Sequence, residues 1–389
     1  MEQPQGFAVK GQEDKVYLLH KALYGLKQAP RAWYSRIDDH LLKIGFKKSL
    51  SESTLYVKIV NDDIIVISLY VDDLLVTGSK PILVNQFKEQ MKQVFEMTDL
   101  GEMSYFLGME VIQSQQEIFI SQHKYARDVL KKFNMESCKS ISTPLMENEK
   151  LSKDDGAAKV DEGLYRSLVG CLMYLTATRP DIMYAVSLLS RFMHCASELH
   201  FKAAKRVLRY VKGTADFGVC FKKSEKLELH GYSDSDWAGS YDDMRSTSGY
   251  LFNLGSGCFS WNSKKQDVVA QSTAEAEYVA ATAAVNQALW LRKLLADLNQ
   301  VQQEATQIFV DNEAAIAISN NPVFHGKTKH FKIKYYFLRE VQKNEEIVLV
   351  HCKTDYQIAD IFTKALSKTR FECLRRQLGI CSKSAKEEC

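Results

Sequence analysis

Apolar positions change their period several times along this chain. Between residues 32 and 42 they recur every four residues, as Trp33, Ile37 and Leu41, which predicts a helix with one face in a core. Residues 64–70 are instead a β-rich run. After Val71-Asp72-Asp73 comes a second apolar run, Leu74-Leu75-Val76-Thr77, so a strand, a tight turn and a strand are predicted with two carboxylates at the tip. Residues 83–95 are helix-like, and 104–111 with 117–120 predict another hairpin.

The middle of the chain is helical. Helices are predicted over 164–175, from Pro180 to 193 with proline in the first turn, and over 198–212, stopped by Gly213. Strands follow at 227–233, 248–254 and 258–261. A long helix opens at Ser272-Thr273-Ala274-Glu275, a Ser-x-x-Glu capping box, and runs to about 298. A strand at 306–310, a short helix from Asn312, a basic helix near 327–343, a strand at 347–351 and a last helix around 355–366 complete the pattern. This is a mixed α/β chain with helices packed on a sheet. Residues 143–163 are charged and nearly free of large apolar side chains, as in a solvated linker. Three blocks result, about 1–120, 121–215 and 225–370, with a polar tail over 371–389.

Composition changes this picture little. Apolar residues are 46% and charged residues 25% of 389, an ordinary globular balance. Net charge is only +3, so any polyanionic partner must be recognised by local patches. Nine cysteines without a Cys-x-x-Cys pair exclude a zinc knuckle and suit free thiols. No apolar run approaches the ~20 residues of a membrane span, and residues 1–7 lack the features of a signal peptide. The expectation is an intracellular chain, in the cytoplasm or nucleus, with no membrane partner.

The sharpest chemical signal is Tyr70-Val71-Asp72-Asp73. Two adjacent carboxylates at a hairpin tip repel each other unless a cation compensates, and a divalent metal does so well; an aspartate-rich turn is the competing explanation. The surrounding motifs decide between them. Leu23-Tyr24-Gly25-Leu26-Lys27-Gln28-Ala29-Pro30-Arg31-Ala32-Trp33-Tyr34, the Tyr-Val-Asp-Asp tip and Phe106-Leu107-Gly108-Met109-Glu110-Val111 resemble the reverse transcriptase of copia-type LTR-retrotransposon Pol polyproteins. The likeness continues through Thr178-Arg179-Pro180-Asp181 and Arg206-Val207-Leu208-Arg209-Tyr210 to about residue 380.

The resemblance implies a partial polymerase palm, a helical thumb and connection, and a ribonuclease H-like mixed five-stranded sheet. It implies that Asp72 and Asp73 bind two Mg²⁺ (or Mn²⁺) ions and that Gly25, Lys27 and Gln28 border the nucleotide and template pocket. Gly108 would lie in a primer-gripping hairpin. The family also uses an aspartate on an upstream strand and a fingers region. The chain begins after both, and neither Asp38 and Asp39 on a helix nor Glu13 and Asp14 in a loop replace that acid. Little polymerisation is therefore expected from this chain unless an upstream Pol segment supplies the missing part.

For the third block the resemblance implies a metal-binding tetrad of Asp234, Glu277, Asp311 and Asp360, again with two ions. Taken singly, Asp311 also fits a helix cap, and Asp236 and Glu275 are neighbours easily mistaken for ligands. His351 stands where related nucleases carry a proton-shuttling histidine; a structural strand-end histidine is equally compatible. His325 and His330 read as structural or nucleic-acid-facing. Lys202, Lys205, Arg206, Arg209 and Lys212 recur at three- and four-residue spacing as a cationic stripe, which is either a solvated face or a phosphate track. Lys264, Lys265, Lys327, Lys329, Lys332 and Lys334 form a second patch. The implied partners are RNA–DNA hybrid and primer-template nucleic acid, read through 2′-hydroxyls and groove shape.

Overall fold

In the computed structural model, which describes residues 2–224, 226–320 and 332–383, the chain divides into two compact units. The first is Met1–Asp99 with Lys293–Asn299, and the second is Leu100–Arg292 with Gln300–Cys389.

The first unit follows the predicted pattern. Helix α1 (Ala29–Lys43) has proline in its first turn and buries Ile37 and Leu41. Strands β1 (Lys47–Lys48), β2 (Leu55–Val60), β3 (Asp63–Tyr70) and β4 (Asp73–Gly78) form an antiparallel sheet in that order. Ile65, Ile67 and Leu69 alternate into the core of the sheet, where α2 (Pro81–Val94) adds Phe87 and Met91. Each such side chain stabilises the unit by about 1.5–3 kcal/mol when fully buried. The short β1 and the strand β2 escaped the sequence pattern, because Lys47, Lys48 and Lys58 interrupt its apolar alternation.

The second unit holds two sheets. Strands β5 (Tyr105–Phe106), β6 (Met109–Gln113) and β7 (Glu117–Ser121) pair onward to β8 (Phe217–Lys222) and to the C-terminal β14 (Ile380–Ser382), all antiparallel. Helices α3 (His123–Lys132), α4 (Glu162–Leu175), α5 (Met183–Ser190) and α6 (Glu198–Gly213) share its core. The mixed sheet contains β9 (Leu229–Ser235), β10 (Thr247–Leu254), β11 (Cys258–Lys265), β12 (Thr306–Val310) and β13 (Ile347–His351). Its order is β11-β10-β9-β12-β13, with the first two pairings antiparallel and the last two parallel. Helices α7 (Thr273–Asp297), α8 (Glu313–Asn320), α9 (Lys332–Lys343) and α10 (Lys368–Gln377) complete the described elements. This is a mixed five-stranded sheet with flanking helices, as the resemblance implied.

Several boundaries differ from the sequence reading. Residues 100–120 belong to the second unit, because β7 finds its partner in β8, a hundred residues on. The break placed near Gly213–Gly218 is where β8 begins. The polar tail is structured to residue 383: Phe371, Leu374 and Leu378 form a buried stripe that a high charge density hides from composition. The last helix placed at 355–366 is instead two 3₁₀ turns, Thr354–Tyr356 and Ile358–Phe362. The helix expected from Pro180 opens as the 3₁₀ turn Pro180–Ile182 and ends at Ser190.

The charged stretch 143–163 is not a free linker. Thr143 and Leu145 are buried, Asp161 caps α4 through the Leu164 N–H, and Asp242 accepts from Ser152 Oγ and Lys153 N at 2.9 Å. The eight described cysteines are all free. Among the described residues no helix is long and apolar enough to cross a membrane.

Candidate functional site

The register of the mixed sheet builds the site. Strand β9 runs parallel to β12 with Gln307 opposite His230 and Phe309 opposite Tyr232. Extending that register by one pleat sets Asp311 beside Asp234 at the carboxyl ends of adjacent parallel strands, where open α/β sheets bind ligands. The third acid comes from the 3₁₀ turn Ile358–Phe362, which lies against β9 and β10. Gln357 is fully buried and donates to Ser233 O at 2.9 Å, while Ser263 Oγ donates to Phe362 O at 2.6 Å. Gly249 makes this approach feasible: a Cβ there would meet Phe362 Cβ at 2.6 Å and Thr363 Cγ2 at 2.8 Å.

One ligand oxygen from each of Asp234, Asp311 and Asp360 lies within 4.8 Å of the others. Asp234 and Asp360 are buried, and Asp311 is half-buried. Glu277, on the second turn of α7, accepts from the Ser235 N–H at 3.2 Å through Oε1; its buried Oε2 has no hydrogen-bond partner among the described residues. Burial, followed by the charges of Asp234 and Asp311, pushes the Glu277 carboxyl well above its usual range. Burial and the Asp234 charge likewise raise Asp360, against the opposing Lys364 and Arg370.

Four groups at this site escaped the sequence reading. Lys364 Nζ lies 2.7 Å from Asp360 Oδ1 and 3.2 Å from Asp234 Oδ2. Arg370 Nη2 lies 3.1 Å from Asp360 Oδ2, Thr363 Oγ1 donates to Asp234 Oδ2, and Gln357 fastens the turn. The i,i+4 spacing of Asp360 and Lys364 was the available signal.

The neighbouring acids serve the backbone. Asp236 accepts from the Thr247 N–H through Oδ1, and burial raises its carboxyl to about 6. Glu275 Oε2 accepts from Gln271 N at 2.8 Å, and the Glu275 N–H donates to Ser272 Oγ at 3.2 Å, an N-terminal capping arrangement. His351 ends β13 with Nδ1 3.8 Å from Glu313 Oε1.

The first unit presents Asp72 and Asp73 exposed at the β3–β4 tip, where Val71 has φ +51° and its carbonyl accepts from Trp33 Nε1 at 2.6 Å. Among the described residues no third potential ligand gathers with them. Gly25 lies in an exposed turn at φ +85°, followed by exposed Lys27 and Gln28.

The cationic stripe on α6 is split. Lys202 and Lys205 are exposed, but Arg206 Nη2 donates to Thr143 Oγ1 at 3.0 Å and Arg209 Nε to Lys139 O at 2.8 Å. Those two arginines fasten residues 139–143 to the helix, so neither is a freely solvated cation of the stripe. Lys264 is exposed, whereas Lys265, on the opposite face of β11, lies 2.7 Å from Asp243. His325, Lys327, Lys329 and His330 lie outside the described residues.

Residues 1–147 match the family described as reverse transcriptase (RNA-dependent DNA polymerase). The chain is 42% identical over 380 residues to the retrovirus-related Pol polyprotein from transposon RE1 of Arabidopsis thaliana, covering 98% of this chain and 26% of that protein. With a transposon Ty5-1 protein of Saccharomyces cerevisiae it shares 35% identity over 288 residues, 73% of this chain and 94% of the relative. LC11-RNase H1 superimposes on 35% of this chain and 93% of its own at 17% identity and a TM-score of 0.28, too low for the superposition to decide anything. The chain thus spans about a quarter of the RE1 polyprotein's length. On the strength of these relatives it belongs to the Pol polyproteins of copia-type retrotransposons.

Proposed function

We propose that the acidic cluster is a metal-dependent nuclease centre that hydrolyses the RNA strand of RNA–DNA hybrids. The observation that carries this is the meeting of Asp234, Asp311 and Asp360 oxygens within 4.8 Å from three separate elements. The unpartnered Glu277 Oε2 supplies a fourth oxygen. An all-carboxylate donor set suits Mg²⁺, with Mn²⁺ as a substitute. A pair of bound ions would lower the pKa of an attacking water and stabilise the leaving 3′ oxygen.

The chain's own residues hold the acids ready. The Ser235 N–H fixes one Glu277 oxygen and leaves the other for a cation, Thr363 holds Asp234, and Arg370 holds Asp360. His351, which ends the strand paired with the one that leads into Asp311, is the candidate for passing a proton. Lys202, Lys205 and Lys264 are exposed cations for the phosphates of the hybrid, whose 2′-hydroxyls distinguish its RNA strand. In the same reading the Asp72–Asp73 hairpin belongs to a polymerase palm that acts on primer-template and draws its third carboxylate from another Pol segment.

A second reading has an observation of its own. Lys364 and Arg370 already neutralise part of the cluster, as expected for a nucleic-acid-binding remnant that no longer cuts. A labelled hybrid incubated with Mg²⁺ and then with EDTA separates the two. Cleavage that stops with EDTA, and is lost in Asp234→Asn and Glu277→Gln but kept in Asp236→Asn with hybrid binding intact, supports the nuclease. Equal cleavage by Asp234→Asn and Glu277→Gln would remove the assigned roles, and binding without cleavage would favour the remnant.

A further inference from the structure

The two cations at the acidic cluster are held very differently. Arg370 donates to the backbone carbonyls of Thr354, Asp355 and Gln357 as well as to Asp360, so the turn itself anchors it. Among the described residues, the Lys364 ammonium has two carboxylates as its polar partners, at 2.7 Å from Asp360 and 3.2–3.3 Å from Asp234. Its side chain is 38% exposed, against 0% and 7% for the two acids. It also lines a cavity of about 600 Å³ shared with Arg191, Asp236 and Arg370.

An ammonium hydrogen-bonded to both acids and a Mg²⁺ ion at roughly 2.0–2.1 Å from the same two carboxylates would repel each other at short range. Without Lys364, the buried carboxylates of Asp234 and Asp360 would face one another with no bridging donor between them. The lysine therefore solves a problem the acids have before an ion arrives, and it has adjoining space in which to go.

We propose that Lys364 is a resident counter-cation, a positioning residue that bridges Asp234 and Asp360, holds them in register and cedes them to a divalent ion by swinging into the adjoining cavity. This rests on the reading of the cluster as a metal centre. Lys364 competes with the ion for its ligands, so its removal strengthens ion binding. A merely structural salt bridge would leave the lysine in place when the ion binds.

Two measurements on the full chain test this. Mn²⁺ binding, read from the electron paramagnetic resonance of the free ion, should tighten by on the order of tenfold in Lys364→Met, as expected for loss of one competing charge at short range; Lys364→Arg should bind no tighter than the original chain. In the unsubstituted chain, amine acylation read by mass spectrometry should spare Lys364 without a divalent ion and modify it at saturating Mn²⁺. The second measurement needs no variant to fold. Equal affinity in a folded Lys364→Met, or labelling of Lys364 that the ion leaves unchanged, would overturn the role of the lysine while leaving the metal centre standing. Absence of Mn²⁺ binding in both the original chain and Lys364→Met would instead sink the metal centre itself.

Discussion

Arg179 and Asp181 form a bidentate ion pair inside the second unit, Nε to Oδ1 at 2.9 Å and Nη2 to Oδ2 at 2.7 Å, with both side chains all but sealed from solvent. The remaining valences are met. Arg179 Nη1 donates to Thr214 O and Nη2 to Thr214 Oγ1, both at 2.7 Å, and Tyr210 OH donates to Asp181 at 2.5 Å. Arg375 of α10 then donates to Tyr210 OH at 3.0 Å, so one polar network joins the start of α5, the end of α6 and the C-terminal helix.

Removing one member of such a pair leaves a buried charge without its partner. Asp181→Asn should cost about 3–5 kcal/mol in urea unfolding, while the double change Arg179→Met with Asp181→Leu should cost much less. The pH dependence has a definite sign. Burial would raise the Asp181 carboxyl, but the Arg179 charge and the hydrogen bonds outweigh it and hold it below its ordinary 3.8. A depressed carboxylate contributes fully above that value and loses its contribution as pH falls through its folded pKa. The stability gap between the original chain and Asp181→Asn should therefore be wide at neutral pH and narrow below about pH 4.

His200 titrates the other way. Burial lowers its pKa below 6.5, and the charge of Asp155, 3.7 Å away, offsets this only in part; Lys159 and Asp242 also face it. The ring stacks on Phe192 at 3.9 Å, and Nδ1 accepts from the Ser197 N–H at 3.0 Å, a bond that requires an unprotonated nitrogen. The stability of the original chain relative to His200→Gln should fall as pH drops below 6.5, because the unfolded chain takes up the proton more readily. His200→Gln keeps an acceptor for the capping box, so the difference between the two chains, measured in unfolding experiments between about pH 7 and pH 5, isolates this slope from the opposite one given by the raised Asp236 carboxyl.

Gly249 is where the sheet and the Asp360 turn come closest. In Gly249→Ala the new methyl group must displace Phe362 and Thr363, whose hydroxyl holds Asp234. Overpacking of this kind costs about 1–3 kcal/mol. Mn²⁺ affinity should fall together with thermal stability, whereas Gly101→Ala, at an open turn with φ +79°, should lower stability alone. Unchanged ion affinity in a destabilised Gly249→Ala would show that the turn does not set the carboxylate geometry.

Much of this was legible from residue order, and the exceptions share a cause. The alternation of Ile65, Ile67 and Leu69 and the four-residue spacing of Ile37 and Leu41 are local signals, so β3 and α1 could be read directly. The pairing of β7 with β8 and of β8 with β14 is a long-range choice that no local period encodes, so residues 100–120 and 371–382 were assigned to the wrong blocks. The candidate acids were readable because motifs mark them. Lys364, Thr363 and Gln357 were not, because their roles depend on a 3₁₀ turn folding back onto β9. Arg206 and Arg209 read as surface charge for the opposite reason: nothing in a helical stripe reveals that residues 139–143 will cover it.

The Asp72–Asp73 hairpin gives the last prediction. Adjacent carboxylates at the tip of β3 and β4 are well positioned but poorly equipped. Trp33 pins the Val71 carbonyl, yet both acids are exposed and no third ligand joins them among the described residues. A hard divalent ion taking six or more oxygens gains little from two carboxylates in open water, where Coulomb attraction is screened. Primer extension by this chain alone should therefore match that of an Asp72→Asn, Asp73→Asn variant. If another Pol segment supplies the missing carboxylate, adding it should raise extension by the original chain and leave the double variant unchanged. Extension by this chain alone well above the variant would mean that the pair suffices, or that a ligand joins it only when nucleic acid is bound.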